Sequence, residues 1–327
     1  MKEKNLNKYL WILILCCTAL LAALYCLGLT PPKAPQGYRK RFTFLSPLTW
    51  SNTALGIQDA DQENNTHTKL LGSATMDIYR QAQAFRDELS ARPDGIITSA
   101  PVDSLEFRAA LKEAASLSIP VVLIDSDLPD SGRNAYVGTD NDQIGKLAGQ
   151  EMIDATQGKA RIAIITSDLG YPNQQERINA FTEAIRPYEE MEIACTLECH
   201  SEKLEVQRLL PALLYEDGNI DALYLTEAVS SAIAGELLQK NFSGRSFQVI
   251  ATDSLTETMD FVSSGTYYAT IIQDPRQEGY LAAKALMDIL DGKTIPDTIF
   301  TDCRSIRKDA ANKVEGLKAE EVAWIYY

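Results

Sequence analysis

The stretch Ser118–Asp127, SIPVVLIDSD, decides how this chain is read. Pro120 leads an apolar run, Val121, Val122, Leu123 and Ile124, the pattern of a strand buried on both faces. The run ends on two acids, Asp125 and Asp127, with Ser126 between them. Carboxylates at the end of a core strand need a reason, because burying a charge is costly unless something pairs with it.

Outward from this stretch, short apolar runs alternate with amphipathic ones. Strands are expected at 42–45, 70–73, 95–98, 121–124, 135–137, 161–165, 193–196, 222–225, 248–251 and 269–272. Asp103-Ser104 caps a helical pattern of Leu105, Ala109, Leu111, Ala114, Ala115 and Leu117, which stops at Ile119-Pro120. Residues 141–152 and 274–290 carry similar patterns. Repeated strand–helix–strand units at this spacing imply parallel, doubly wound α/β sheets. Ten strands exceed one sheet for a chain of 327 residues, so two lobes are expected. After Asp291–Lys293 and Pro296 the pattern becomes less regular.

In doubly wound sheets a ligand sits beyond the carboxyl ends of the strands. The residues following each run are therefore the candidates. Trp50 follows the first strand; Asp125, Ser126 and Asp127 follow 121–124. Tyr171 and, one helical turn on, Arg177 follow 161–165. Thr226 and Glu227, Thr252 and Asp253, and Gln273 follow the last three strands. Acids, an arginine, an amide and hydroxyls suit a neutral polyhydroxy ligand: a carboxylate accepts from adjacent hydroxyls and a guanidinium donates to several oxygens. An indole face covers the apolar side of a sugar ring. Each residue alone has a plainer use. Asp125 or Asp253 could cap a turn, Glu227 could cap the helix beginning near Val229, and Trp50 could be core.

Charge is uneven. The first 41 residues hold seven Lys/Arg and one acid, so a net of −14 overall leaves −20 on the rest. A body that acidic excludes nucleic acid as an expected partner. Lys2, Lys4 and Lys8 precede an uncharged run of 21 residues, Tyr9–Leu29, long enough to cross a bilayer core of ~30 Å at ~1.5 Å per residue. A cleaved signal peptide is the rival reading, but its best small-x-small site is Cys26-x-Gly28. An uncleaved, single-pass membrane anchor over 1–29 is expected, with a Pro-rich linker over 30–41 and the body outside the cytoplasm. Basic residues flank the run on both sides and do not set its orientation. Outside the run lie Cys195, Cys199 and Cys303, an odd number that makes no disulfide framework. Cys195, Cys199 and His200 fall short of a metal site and are expected to be free of metal.

Neither His67 nor His200 accompanies a nucleophile motif, and the chain carries no Walker loop, no G-x-G-x-x-G after its first strand and no H-E-x-x-H. No cofactor is called for. Paired acids could support glycoside hydrolysis, but nothing local separates such a pair from hydroxyl acceptors.

IPVVLIDSD followed by YVGTDNDQIGKLAG, then E-R-x3-F at Glu176–Phe181, A-T-D at Ala251–Asp253 and ATIIQDP at Ala269–Pro275 resemble the bacterial periplasmic sugar-binding proteins. This is the ribose-binding type that also supplies the core of LacI-type repressors. The resemblance runs from about Phe42 to Phe300. It implies a type I periplasmic binding fold with three crossings between lobes, near Thr139, Gln273 and Asp302. The first lobe would then hold 42–139 and 274–302, and the second 140–273 and 303–327. It also implies that Asp125, Arg177, Asp253 and Gln273 contact sugar. The chain departs from the pattern at three places: Ser126 stands for an arginine, Glu227 for an asparagine, and Thr53 and Ala54 for paired phenylalanines. Trp50 is left as the nearby stacking residue. These changes make the cleft more acidic and leave the sugar's identity open. A membrane span in place of a helix-turn-helix disfavours a repressor. The implied function is a binding protein for an ABC-type sugar importer. The alternative is a sensing subunit for a membrane histidine kinase or chemoreceptor, and a glycosidase-like enzyme is more distant.

Overall fold

The computed structural model describes residues 37–46, 50–72, 78–100 and 102–314. The expected anchor over 1–29 and residues 30–36 of the linker lie outside the described residues. Among the described residues no helix is long and apolar enough to cross a membrane. The unit from Arg41 onward carries the fold.

The chain begins with β1 (Arg41–Leu45), α1 (Ser51–Asn64), β2 (His67–Leu71), α2 (Ile78–Ala91), β3 (Gly95–Thr98), α3 (Leu105–Ser116), β4 (Val121–Ile124) and β5 (Ala135–Thr139). It continues with α4 (Asn141–Thr156), β6 (Lys159–Thr166), α5 (Pro172–Ile185), β7 (Glu190–Glu198), α6 (Lys203–Glu216), β8 (Ala222–Leu225), α7 (Ala228–Asn241), β9 (Gln248–Thr252), α8 (Thr256–Ser264) and β10 (Ala269–Ile272). The last elements are α9 (Pro275–Leu290), β11 (Thr298–Thr301), β12 (Arg304–Arg307) and α10 (Lys308–Val314).

These strands form two sheets. The first runs β2-β1-β3-β4-β5-β11, all parallel. The second runs β7-β6-β8-β9-β10-β12, parallel except for β12 against β10. Each sheet is doubly wound, with its strand order reversing at β1 or at β6, so the crevice of each lobe opens at those strand ends. Helices cover both faces. Phe85, Leu111 and Leu123 pack on one side of the first sheet, and Phe44, Val122 and Leu286 on the other. Leu210, Leu223 and Val249 form one core of the second lobe, and Ile144, Ile164 and Phe181 its opposite core.

The chain passes between sheets three times: from β5 to α4, from β10 to α9, and from β11 to β12. The first two crossings enter their helices on aspartate caps. Asp140 accepts from Gln143 N at 3.1 Å, and Asp274 from Gln277 N at 2.9 Å. Such caps satisfy amides that a helix start leaves open.

The irregular tail expected beyond Pro296 is instead two strands, one added to each sheet. They escape an apolar-run reading because both are edge strands. Phe300 of β11 is 58% exposed, and β12 buries only Ile306. Likewise β7 extends well past its apolar run because it lies at an edge with most of its residues only partly buried.

Two close helix pairs hold the lobe faces that border the cleft. A Cβ at Gly279 of α9 would lie 2.0 Å from the carbonyl oxygen of Thr53 in α1. A Cβ at Gly145 of α4 would lie 2.2 Å from the carbonyl oxygen of Arg177 in α5. Backbone cannot yield as a side-chain tip can. Gly279→Ala is expected to part α1 from α9 and cost ~1–3 kcal/mol or more, read as a lower midpoint in denaturant melting.

Candidate functional site

A cavity of about 250 Å³ lies between the lobes at the carboxyl ends of the strands. The first lobe contributes Trp50, Asn52, Thr53, Asp125, Pro275 and Glu278; the second contributes Ala228, Asp253, Ser254, Leu255 and Thr256. Gln273 lines it from the second crossing. That volume lies just below the usual range of ligand sites, about 300–1,000 Å³, and suits a single sugar ring better than an oligomer.

Asp125 and Asp253 hold matching positions. Each follows the fourth strand of its lobe in chain order, β4 or β9. Both adopt left-handed backbone, with φ of 65° and 74°. Aspartate tolerates this region better than most residues, and such turns collect at functional sites. Each turn is pinned in the same way by the next strand. Tyr136 Oη donates to the Asp125 carbonyl at 2.9 Å, and Thr270 Oγ1 to the Asp253 carbonyl at 2.7 Å. The strand therefore stops, the chain turns, and a carboxylate faces the cleft from either side.

The other polar groups form a chain behind the acids. Arg177, 2% exposed, donates from Nε to Asn141 Oδ1 at 2.8 Å, from Nη1 to the Thr226 carbonyl at 2.8 Å, and from Nη2 to Gln273 Oε1 at 3.0 Å. Gln273 in turn donates from Nε2 to Asp253 Oδ1 at 2.6 Å. The arginine thus fixes which end of the Gln273 amide faces the acid. Across the lobes, Asn173 Nδ2 donates to Asp125 Oδ2 at 3.1 Å. Trp50 stands at the start of α1, its ring tilted against Phe44 at 6.4 Å between centroids.

Charge in this space is strained. Burial pushes the Asp125 carboxyl up to about 6, against the opposing pull of Arg177 and with help from Asp253. Asp253 is raised by burial too, with Arg177 and the Gln273 amide holding it down. Glu278 is pushed up to about 8, first by burial and then by the negative charge of Asp125. Three carboxyls therefore share one guanidinium.

Four of the eight residues expected from sequence line the cavity: Trp50, Asp125, Asp253 and Gln273. Arg177 lies directly behind them. The other three do not line it. Ser126 is 2% exposed and spends its backbone in the turn, its N donating to the Ile124 carbonyl at 2.7 Å. Tyr171 is the residue just before α5, its carbonyl accepting from Gln174 N at 3.1 Å. Glu227 caps α7: Oε2 accepts from Val229 N at 2.8 Å and Oε1 from Ser230 N at 2.5 Å. Cys199 Sγ and Ser201 Oγ also donate to this carboxylate, at 3.6 and 3.3 Å. Glu227→Ala is therefore expected to cost ~0.5–2 kcal/mol of stability while leaving the order of ligand affinities unchanged, as melting and calorimetric titration will report.

Glu278 was not anticipated. It lies one turn into the helix after a strand end, as Arg177 does, and that offset was the available signal. Thr53 holds one of the places where the resembled family has paired phenylalanines, whereas Asn52 and Ser254–Thr256 carry no signal in the sequence. Cys195, Cys199 and Cys303 are free thiols, and among the described residues no group of three metal-ligating side chains converges.

The model of the family described as periplasmic binding protein domain matches residues 45–294. This chain belongs to the periplasmic binding protein family. The ribose import binding protein of Bacillus subtilis is 24% identical over 282 residues, covering 83% of this chain and 90% of that protein. GanP, a glucose-galactose binding protein from Geobacillus stearothermophilus, superposes with a TM-score of 0.79 at 30% identity, over 83% of this chain and 98% of that one. A structure of the XylFII-LytSN complex gives 0.77 at 29% identity, over 83% and 98%. As a periplasmic binding protein the chain has its cavity where this two-lobed architecture places a ligand, in the crevice at the strand ends.

Proposed function

We propose that this periplasmic binding protein takes a monosaccharide, or a similar polyhydroxy ligand, between its lobes and serves an ABC-type sugar importer. The observation that carries the reading is the matched pair of left-handed aspartates, Asp125 and Asp253, converging from opposite lobes on a cavity walled by Trp50 and Gln273. Paired acceptors, an amide and an indole face are what a ring of hydroxyls and C–H groups requires. A ligand that bridges both lobes favours their closed arrangement by its differential affinity, and a partner reads that closure. The importer reading draws on relatives such as the ribose import binding protein.

Residues 1–29 are proposed to anchor the chain in the cell membrane with the body outside, which confines it beside a membrane partner. A second reading, a sensing subunit for a membrane histidine kinase or chemoreceptor, draws on the relative XylFII having been solved in complex with a second protein, LytSN. The genes beside this one separate the two: a permease and ATPase, or a kinase and regulator.

The test is a thermal-shift series on the full chain with D-ribose, D-xylose, D-glucose and D-galactose. A sugar at 100 times its Kd is expected to add ~2.7 kcal/mol to stability. No shift with any sugar overturns the ligand class. Alkaline carbonate extraction tests the anchor: release of the protein from membranes overturns it.

A further inference from the structure

We propose that Glu278 is a ligand-contacting residue that works as a neutral carboxylic acid, donating from Oε2 to a ligand oxygen while Oε1 ties the occupied cavity to the hinge. The inference rests on the sugar reading and adds to it the one acid that donates rather than accepts.

Glu278 is 5% exposed and lines the cavity. Its Oε1 accepts from Thr139 Oγ1 at 2.9 Å and from Thr301 Oγ1 at 3.4 Å, and those two hydroxyls lie 3.1 Å apart. Thr139 ends β5 and Thr301 ends β11, so each is the last residue before a crossing. Glu278 itself sits in the first turn of α9, just after the remaining crossing, and its N donates to the Asp274 carbonyl. The carboxyl therefore meets the strand ends before two crossings, and the backbone of the same residue is hydrogen-bonded to the start of the helix after the remaining one.

Oε2 has no hydrogen-bond partner among the described residues. Oε1 accepts from Thr139, and Thr301 gives its single proton either to Oε1 or to Thr139, so the oxygen left open to carry a proton toward the cavity is Oε2. The charged and titratable groups facing it are Asp125 after β4, Asp253 after β9, Arg177 on α5 and Tyr136 on β5. From α1 the cavity receives Asn52 and Thr53, which carry no charge. Three ionised carboxylates against one guanidinium would leave the dried cavity strongly negative. A proton on Glu278 relieves that, and burial together with the charge of Asp125 pushes this acid up to about 8. The cavity then offers acceptors at Asp125 and Asp253 and a donor at Glu278, a set suited to a ligand oxygen such as a ring oxygen that can only accept.

The sign follows. Donation to the ligand raises this acid further in the complex, so its own contribution to affinity is full below about pH 8 and is lost as pH rises beyond it. On the acid side affinity weakens as Asp125 takes up its proton near pH 6.

The test is calorimetric titration of the full chain with D-ribose, D-xylose, D-glucose and D-galactose between pH 5 and 9.5. For any sugar bound, the wild-type Kd is expected to rise about tenfold between pH 7.5 and 9.5. Glu278→Gln, whose amide still donates, should bind roughly threefold more weakly at pH 7 yet lose the alkaline decline. Glu278→Leu should weaken binding about tenfold or more at pH 7. A wild-type affinity that is flat from pH 7 to 9.5, or a Leu variant that binds as tightly as wild type, overturns the inference alone. Wild-type protein that binds none of the four sugars at any pH overturns the sugar reading, and this inference with it.

Discussion

Replacing Asp253 by alanine is expected to abolish sugar-induced stabilisation, and Asp125→Ala to do the same. If the ligand is the proposed sugar, each carboxylate accepts from two adjacent hydroxyls, and leaving a buried donor unpaired costs ~1–3 kcal/mol each. Two such losses amount to a Kd raised by about a hundredfold or more. Alanine has a second effect, because φ near +70° strains any residue with a Cβ that cannot bond locally. The cleaner variants are Asp125→Asn and Asp253→Asn, which keep the turn and replace one acceptor oxygen with a donor. These are expected to fold normally and still lose most of their affinity, because a donor then meets a ligand hydroxyl already oriented to donate. Thermal shift and calorimetry read both. An Asn variant that binds as tightly as wild type shows that the carboxylate serves the turn and not the ligand.

Arg177→Met is expected to show the second large effect, in stability and in the pH response together. The guanidinium is buried and makes three hydrogen bonds, to Asn141, to the Thr226 carbonyl and to Gln273. Methionine fills much of the space and satisfies none of them. Removing a buried charge from among its partners costs ~3–5 kcal/mol, a shift readily seen in denaturant melting. Arg177 also holds the Asp125 and Asp253 carboxyls down against burial. Without it both titrate higher, so at neutral pH a smaller fraction of each is ionised. The acid side of the affinity profile should therefore move upward from about pH 6, set by Asp125. Arg177→Lys should not restore the wild-type profile, since one ammonium on a flexible stem cannot reach three acceptors spread over α4, β8 and the second crossing. Unchanged melting and an unchanged acid limb in Arg177→Met would show that the guanidinium neither supports the site nor sets its charge.

Much of this protein is determined locally. β3, β4, β8 and β10 coincide with their apolar runs, because an interior parallel strand is buried on both faces and reads as a nearly continuous apolar stretch. Asp125, Asp253 and Gln273 are legible by place: each follows a buried strand at the open end of a sheet, although Ser126 and Glu227 share that place and do not line the cavity. Edge strands β11 and β12 are not legible, since a strand with one buried residue carries no run to read. The roles of individual acids were decided only by tertiary structure. Glu227 and Glu278 are the same side chain near the starts of helices that follow strand ends. Glu227 meets the open amides of Val229 and Ser230 and becomes a cap. Glu278 meets two threonine hydroxyls on one oxygen and the cavity on the other, because the three crossings bring β5, β11 and α9 together. A carboxylate's task depends on which donors surround it. Glu227 takes its amides from the next residues of its own chain segment, whereas Thr139 lies 139 residues from Glu278, a donor that only the folded arrangement supplies.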